Sequence, residues 1–289
     1  MTTYRHDFWH APDGAHLYYE VSGQPTGVPA ILCDGLGCDG FAWRYLKPEL
    51  ALTRPVIHWH YRGHGLSRLP LTVEEYAIER FADDLAGLLD HLEVKSGVVF
   101  GHSMGVQVAL EFARRHSQRV AGLVLLNGGY GHPLDTWHDG SALRIAFPKI
   151  RKLVEKFPSM ARRLVTPLMS TELPIHIGLR FELNPLLAKR EDLVPYFDHL
   201  ARMDPLAFVR TLGALQEHTA WDHLPDIRVP TFIVGGERDT YSPGWISRRM
   251  ADRIPTSELM MVADGSHVTP LERPREVNAR VLDFIRQRV

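Results

Sequence analysis

The chain has 289 residues, of which 33 are lysine or arginine and 34 are aspartate or glutamate, for a formal net charge of −1. This balance gives no indication of a nucleic-acid or polyacid partner, and no nucleic-acid partner is predicted. Residues 1–10 lack the features of a secretory leader, and no apolar run reaches the roughly 18 to 20 residues of a membrane span, so we expect a cytoplasmic protein. The sequence leaves the oligomeric state open.

The elements predicted along the chain alternate between short apolar strands and amphipathic helices. The chain opens with a hairpin around residues 12–14, and apolar runs typical of buried parallel strands follow at 30–33, 55–59, 97–100, 120–126, 231–234 and 258–262. Helical spacing is clearest over 74–92, where Thr72 and Glu75 predict a capping box. A later helix is expected at Ser242-Pro243, and a final helix over 270–289. Strands separated by helices predict a mostly parallel sheet.

The segment 130–218 interrupts this alternation. It contains helical patterns and eight prolines but no convincing strand. We therefore predict a core domain formed by residues 1–129 and 219–289, with residues 130–218 inserted as a helical cap, or lid. A separate helical domain with its own core is the alternative.

A G-x-S-x-G motif lies between an apolar run and a helical pattern, as Gly101-His102-Ser103-Met104-Gly105. The five-residue pattern alone is a weak signal, but its place between a strand and a helix is specific. Small residues at both ends allow a sharp turn that exposes the serine hydroxyl. Ser103 is therefore the predicted nucleophile.

A serine hydroxyl needs a base, and the base needs a carboxylate to orient it. In proteins with this turn, the acid and then the histidine follow the serine on loops after later strands. The run 231–234 leads into a loop that ends in Asp239, and the run 258–262 leads into a loop that ends in His267. We predict Asp239 as the acid and His267 as the base.

Together these motifs resemble the α/β-hydrolase family of esterases, lipases, perhydrolases and epoxide-hydrolase-like enzymes, over nearly the whole chain. The resemblance includes GERD at 236–239, GSH at 265–267 and YRGHGLS at 61–67. It implies an α/β fold with a mostly parallel eight-stranded sheet, helices on both faces and an inserted lid. Relatives with an aspartate nucleophile are disfavoured by Ser103.

The resemblance also implies an oxyanion hole made by two backbone N–H groups. One belongs to Met104, and the other comes from the loop 34–37, where we select Leu36. In the implied cycle the serine attacks an acyl carbonyl, the histidine accepts and returns the proton, and water hydrolyses the acyl-enzyme.

The loop departs from the family pattern, because Asp34-Gly35 stands where the family usually has His-Gly. A carboxylate close to a developing oxyanion would raise the barrier unless it were paired or turned away. We expect Asp34 to bond to backbone, Arg62 or His64 and so to support the loop.

Three residues near these motifs have simpler interpretations. Asp264 is expected in a local turn rather than as the acid. Asn127 would be a neutral and weak orienter of the base. His102 is expected to pack or bond locally, because adjacent positions at a tight turn point apart.

A group of histidines and a basic stretch each allow a functional and a purely structural interpretation. His58, His60 and His64 suggest a metal site, but no carboxylate or cysteine lies at matching spacing, so neither a metal nor a cofactor is expected. The insertion carries a basic stretch, which we interpret as a solvated helix face, with peripheral contact of the lid with anionic lipid as the alternative. Its members are Arg144, Lys149, Arg151, Lys152, Lys156, Arg162 and Arg163.

The predicted function is that of a serine hydrolase, carboxylesterase-like (EC 3.1.1), acting on small to medium apolar esters. C–C bond hydrolases, thioesterases, lactonases and perhydrolases could use the same three residues. A hydrolase-shaped binding protein with an idle triad is the alternative from another class, and Asp34 is the feature that favours it. Fold alone does not decide among them.

Overall fold

The computed structural model describes residues 3–70, 72–139 and 141–289, and within them eight strands form one sheet. The strands are β1 (Thr3–His10), β2 (His16–Gly23), β3 (Ala30–Cys33), β4 (Pro55–Trp59), β5 (Gly97–His102), β6 (Val120–Leu126), β7 (Thr231–Gly236) and β8 (Ser257–Val262). Their order across the sheet is β1-β2-β4-β3-β5-β6-β7-β8. The pairs β1–β2 and β2–β4 are antiparallel, and the other neighbours are parallel. The predicted fold class is confirmed.

The described residues also form eleven α-helices. They are α1 (Leu46–Ala51), α2 (Ile78–His91), α3 (Met104–Arg115), α4 (Ser141–Lys156), α5 (Pro158–Met169), α6 (Leu173–Ile177), α7 (Arg190–Arg202), α8 (Pro205–Glu217), α9 (Gly244–Arg253), α10 (Thr269–Glu272) and α11 (Pro274–Arg288).

Both faces of the sheet are covered by helices, which explains the continuous apolar runs of the central strands. Successive side chains of a strand point to opposite faces. Ile31 accordingly packs in one apolar cluster with Phe81 of α2, whereas Leu32 packs in a second cluster with Leu50 of α1 and Val281 of α11.

The helix expected over 74–92 begins later than the start predicted from a capping box at Thr72 and Glu75. Residues 74–76 form a 3₁₀ turn, Ala77 is extended with ψ 144°, and α2 starts at Ile78. Glu75 accepts from the Thr72 backbone N–H at 3.1 Å, but its second oxygen accepts from Arg62 at 2.8 Å. The pair therefore closes the preceding turn and does not cap the helix.

The chain end differs from the single helix predicted over 270–289. Arg273 has φ −129° and ψ 52°, so α10 ends before it and α11 begins at Pro274. A proline disfavours helical backbone in the residue before it, which explains the break. Similarly, α9 begins at Gly244 with Pro243 rather than Ser242 at the N-cap position.

Between β6 and β7 the described residues contain α4–α8 and no strand of the sheet. An isolated bridge between Gly131 and Thr219 joins the two ends of this segment. Among the residues described, none of the helices combines the length and apolarity that crossing a bilayer requires.

Candidate active site

Ser103 lies in the turn between β5 and α3, with φ +55°, a value that residues other than glycine rarely adopt. Close backbone contacts surround this turn. A Cβ added at Gly101 would lie 2.4 Å from the Gly105 carbonyl oxygen, and one added at Gly105 would lie 2.0 Å from the Cys33 carbonyl oxygen. Only glycine fits both positions, which is the physical basis of the G-x-S-x-G pattern here.

His267 and Asp239 approach Ser103 from the loops after β8 and β7. The Ser103 hydroxyl is 2.8 Å from Nε2 of His267 and is placed to donate to it. On the other side of the ring, Nδ1–H donates to Asp239 at 2.9 Å to Oδ2 and 3.0 Å to Oδ1. The three side chains selected from the sequence therefore meet in one hydrogen-bonded chain.

The Asp239 carboxylate is buried and held by several donors. Its Oδ1 accepts from the backbone N–H groups of Tyr241 at 2.9 Å and Ser242 at 2.8 Å. Asn127 lies 3.4 Å from Oδ2 through its amide nitrogen, which also donates to the Ser266 carbonyl oxygen at 2.9 Å. Asn127 thus ties the acid to the loop that carries the histidine, a role that its sequence position did not indicate.

His102 contacts the backbone of His267. It is buried, and its Nε2 lies 3.1 Å from the backbone carbonyl oxygen of His267. Burial, and then the nearby His267 ring, lower the pKa of His102 to about 4. A neutral His102 therefore donates through Nε2–H and helps to fix the His267 backbone.

Asp264 lies away from this chain of side chains. It has φ +56°, consistent with the expected local turn, and its carboxylate is exposed, 3.9 Å from Arg238. The structure thus brings Asp239, and not Asp264, to the His267 ring.

The loop after β3 runs directly against the serine. A Cβ added at Gly35 would lie 3.1 Å from the Ser103 Cβ, and both Leu36 and Met104 line the cavity into which Ser103 opens. Met104 is the first residue of α3, so its N–H has no partner within the helix. The loop and the helix start therefore both lie beside Ser103 at the cavity wall.

The hydrogen-bond partners predicted for Asp34 were wrong. Its buried carboxylate accepts from Nε1–H of Trp43 at 2.7 Å and from Nε2–H of His58 at 2.7 Å, not from Arg62 or His64. Arg62 is committed elsewhere, because Asp84 takes two of its N–H groups at 2.7 Å each. Asp34 is nevertheless paired within the protein and supports the loop, as the sequence suggested.

Asp34 is the first of four side chains of alternating charge that are in contact with one another, followed by His58, Glu20 and Lys47. Nδ1 of His58 donates to Glu20 at 2.9 Å, and Glu20 also accepts from Lys47. Burial by itself would lower the pKa of His58, but Asp34 and Glu20 raise it to about 9. His58 is therefore a buried cation between two carboxylates, and its proximity lowers the pKa of Asp34 against the effect of burial.

The same residues include the only buried triplet among those described that has metal-ligand types, Asp34, His58 and His60, within 4.8 Å of one another. Both nitrogens of His58 face carboxylates, so its imidazolium has no lone pair for a metal ion. Nδ1 of His60 already accepts from the Leu66 N–H at 3.0 Å. His64 bonds instead to the Arg62 carbonyl oxygen, so the three histidines do not converge.

Ser103 and His267 open into an apolar cavity of about 400 Å³. Much of its wall comes from the segment between β6 and β7. Apolar side chains from that segment at the wall are Leu143, Phe147, Leu193, Phe197, Phe208 and Val209. This volume and lining are typical of a site for a small apolar molecule.

One polar group at the cavity wall was missed by the sequence reasoning. The Glu182 carboxylate accepts from Trp137 at 3.2 Å, His138 at 2.9 Å and Thr240 at 2.8 Å. Its partners come from two loops far apart in the chain, and no local pattern connects them. Glu182 joins the segment between β6 and β7 to the loop that follows Asp239.

Comparisons with known proteins bear on this arrangement. The chain is 28% identical to the dihydrolipoyllysine-residue acetyltransferase component of the acetoin cleaving system of Pseudomonas putida, over 93% of this chain and 66% of that protein. It is 28% identical to 2-hydroxymuconate semialdehyde hydrolase of Pseudomonas sp. strain CF600, over 90% of this chain and 87% of that protein. Its fold is similar to that of a thermophilic esterase from Thermogutta terrifontis, with 27% identity, a TM-score of 0.75 and coverage of 98% of each chain. A profile of the alpha/beta hydrolase family matches residues 30–280, and the chain therefore belongs to this family and is a hydrolase of its fold.

Proposed function

We propose that this hydrolase cleaves carboxylic esters of small to medium apolar compounds through an acyl-enzyme intermediate. The observation that carries the proposal is the 2.8 Å contact between the Ser103 hydroxyl and Nε2 of His267, at the edge of an apolar cavity. A hydroxyl at this distance from a neutral imidazole nitrogen can transfer its proton as it attacks a carbonyl carbon.

In the proposed cycle Ser103 attacks the ester carbonyl and His267 accepts its proton. Asp239 holds the ring in the tautomer with hydrogen on Nδ1 and stabilises the imidazolium. His267 then protonates the leaving alcohol, and a water molecule attacks the acyl-enzyme by the same route. No ion or cofactor is needed for these steps.

The backbone N–H groups of Leu36 and Met104 are proposed to bind the tetrahedral oxyanion. Removing one such donor typically raises the barrier by about 3 to 4 kcal/mol. The anchoring of the Asp34 side chain by Trp43 and His58 supports this assignment, because it turns the carboxylate away from the cavity side and into the core.

We also propose that residues 130–218 act as a cap over the site and select the substrate. The cavity wall contributed by α4, α7 and α8 is apolar, so an acyl chain or an apolar alcohol would be bound mainly by burial of its surface. A charged substrate would meet few polar partners there.

The first test is covalent labelling of the full-length protein with a fluorophosphonate. Wild type should be labelled at Ser103, Ser103→Ala should not be labelled, and His267→Ala should react much more slowly. Ser242→Ala is the matched control, because Ser242 also lines the cavity but its hydroxyl is outside the proposed triad. Absence of labelling in folded wild type would favour the idle binding protein instead.

The second test distinguishes esters from other substrates. A series of p-nitrophenyl esters of increasing chain length should show the highest kcat/KM at short to medium acyl chains. The relative named as 2-hydroxymuconate semialdehyde hydrolase provides a competing substrate class. Efficient turnover of that semialdehyde with slow ester cleavage would overturn the ester assignment while leaving the nucleophile in place.

A further inference from the structure

Helices α4, α5 and α6 form the outer layer of the segment between β6 and β7. They pack on α7 and α8, with α4 against α8, α5 against both and α6 against α7. On the inner side, Phe147 is buried and lines the cavity. The opposite side of this layer faces away from the protein and is called the outer helical surface below.

The outer helical surface carries an unusual number of exposed apolar side chains. Of the 19 large apolar residues exposed in the described part of the chain, nine lie within residues 141–177, and all of these except Ile150 lie outside the cavity wall. Met160, Leu164 and Leu168 follow i, i+4, i+8 spacing, so they form one stripe along α5. Single exposed apolar residues need no explanation, but a concentration of them marks a surface that contacts something apolar.

Cations lie among these apolar side chains. On α4, Lys149, Lys152 and Lys156 share a face with Ile145 and Leu153 by helical spacing. On α5, Arg163 lies next to the stripe of Met160, Leu164 and Leu168, whereas Arg162 lies on the opposite side of the helix, near the loop of residues 63–69. Within the described ranges, Lys149, Lys152, Lys156, Arg162 and Arg163 have no ion-pair partner.

The charge of this region contrasts with that of the protein. Residues 141–169 contain seven basic residues and one acidic residue, Glu155, whereas the whole chain has a net charge of −1. Arg151 is turned inward and pairs with Glu155 at 3.2 Å and Glu217 at 3.1 Å, and Arg144 pairs with Asp135 at 3.7 Å. The unpaired positive charge is therefore concentrated on the outer helical surface.

We propose that the outer helical surface adsorbs to an anionic lipid bilayer, with its apolar side chains in the interface and its lysines and arginines at the headgroups. This combination of exposed Leu, Ile, Phe and Met with interspersed cations is the one that binds such interfaces. A second copy of the chain fits less well. In a two-fold interface this surface would face itself, and the unpaired cations of one copy would meet those of the other.

The inference goes beyond the proposed ester reaction and does not depend on it, because its readout is vesicle binding. Wild type should co-sediment with vesicles of equal parts phosphatidylcholine and phosphatidylglycerol, and much less with phosphatidylcholine alone. Each cation at such a surface contributes about fivefold to partitioning, so Lys149→Gln/Lys152→Gln should weaken binding by roughly 25-fold. Salt at about 1 M should remove the difference in binding between wild type and the lysine variant.

Matched controls separate this surface from general charge and hydrophobicity. Arg275→Gln/Arg286→Gln makes the same charge change on α11, where both residues are exposed, and should bind like wild type. Leu164→Ser should weaken binding by about tenfold or more, whereas Leu52→Ser should not, although the two leucines are 66% and 69% exposed. Hydrolysis of a soluble short-chain ester should be unchanged in the lysine variant, because neither lysine lines the cavity.

Four results would overturn the proposal. Wild type failing to bind anionic vesicles at low ionic strength would do so directly. Equal losses in the α4 and α11 variants would show non-specific attraction, and wild-type binding by Leu164→Ser would exclude insertion. A concentration-dependent dimer that Leu164→Ser abolishes would assign the surface to a second copy of the chain instead.

Discussion

Replacing His58 with glutamine removes a buried cation that lies between the carboxylates of Asp34 and Glu20. We expect the variant to be less stable than wild type near neutral pH. We also expect the difference to shrink as the pH rises, because wild-type His58 then loses its proton. The alternating charges behind the loop of residues 34–37 thus make a pH-dependent contribution to stability.

The magnitude follows from the two pKa values of His58. In the folded protein the two carboxylates outweigh burial and raise the pKa from 6.5 to about 9. A pKa raised by folding stabilises the protein fully below the unfolded value, and this contribution disappears as the pH passes the folded value. The shift corresponds to about 3 kcal/mol at low pH, of which about 2 to 3 kcal/mol is present at about pH 7 and almost none at about pH 10.

The assay is urea unfolding of wild type and His58→Gln at several pH values across this range. The difference in unfolding free energy between the two proteins should narrow by about 2 to 3 kcal/mol from about pH 7 to about pH 10. Other groups that titrate in this range are present in both proteins and largely cancel. Glutamine also loses hydrogen bonds to Asp34 and Glu20, but that loss does not change with pH.

His60 provides a matched control. It is a buried neighbour of His58, and burial, then the His58 charge, lower its pKa to about 3. It is neutral throughout the range tested, so the stability difference between wild type and His60→Gln should stay constant. A constant difference for His58→Gln as well would refute the buried imidazolium and the charge alternation built on it.

Three further substitutions test the site and its supports. Asp239→Asn should lower kcat for a p-nitrophenyl ester by about 10⁴-fold with unchanged melting; near-normal turnover would remove Asp239 from the triad. Gly105→Ala should lower the unfolding free energy by about 1 to 3 kcal/mol or more, because its Cβ would meet the Cys33 carbonyl oxygen at 2.0 Å; urea midpoints equal to wild type would contradict the contact. Arg62→Met leaves the buried Asp84 without its main cation and should lower the unfolding free energy by about 3 to 5 kcal/mol. A smaller loss, measured by urea unfolding, would mean that water reaches the Asp84 carboxylate.

Sequence patterns anticipated the eight-stranded sheet and the meeting of Ser103, Asp239 and His267 at one edge. Apolar runs mark buried strands because both faces of each strand must leave water. Parallel strands place their following loops at the same sheet edge, so a serine, an acid and a histidine on three such loops come together. Their catalytic roles are predictions that the labelling and turnover experiments test.

Other features depended on residues far apart in the sequence. The break at Ala77 was missed because Glu75 is engaged by Arg62, and nothing in residues 72–78 indicates that partner. Asp34 was assigned the wrong partners for the same reason, since His58 reaches it only once β4 lies beside β3 and Trp43 reaches it from the 3₁₀ turn of residues 41–43. The apolar cavity and the outer helical surface likewise depend on how α4–α8 pack.

The sequence by itself determined the order of strands and helices, the sharp turn at Ser103 and the candidate triad, because each depends on local backbone preferences or on the period of apolar residues. Only the tertiary structure decided which charged groups pair, which apolar side chains line the cavity and which stay exposed. Pairing and burial depend on the distances between segments that the chain brings together when it folds, and a linear pattern does not contain those distances.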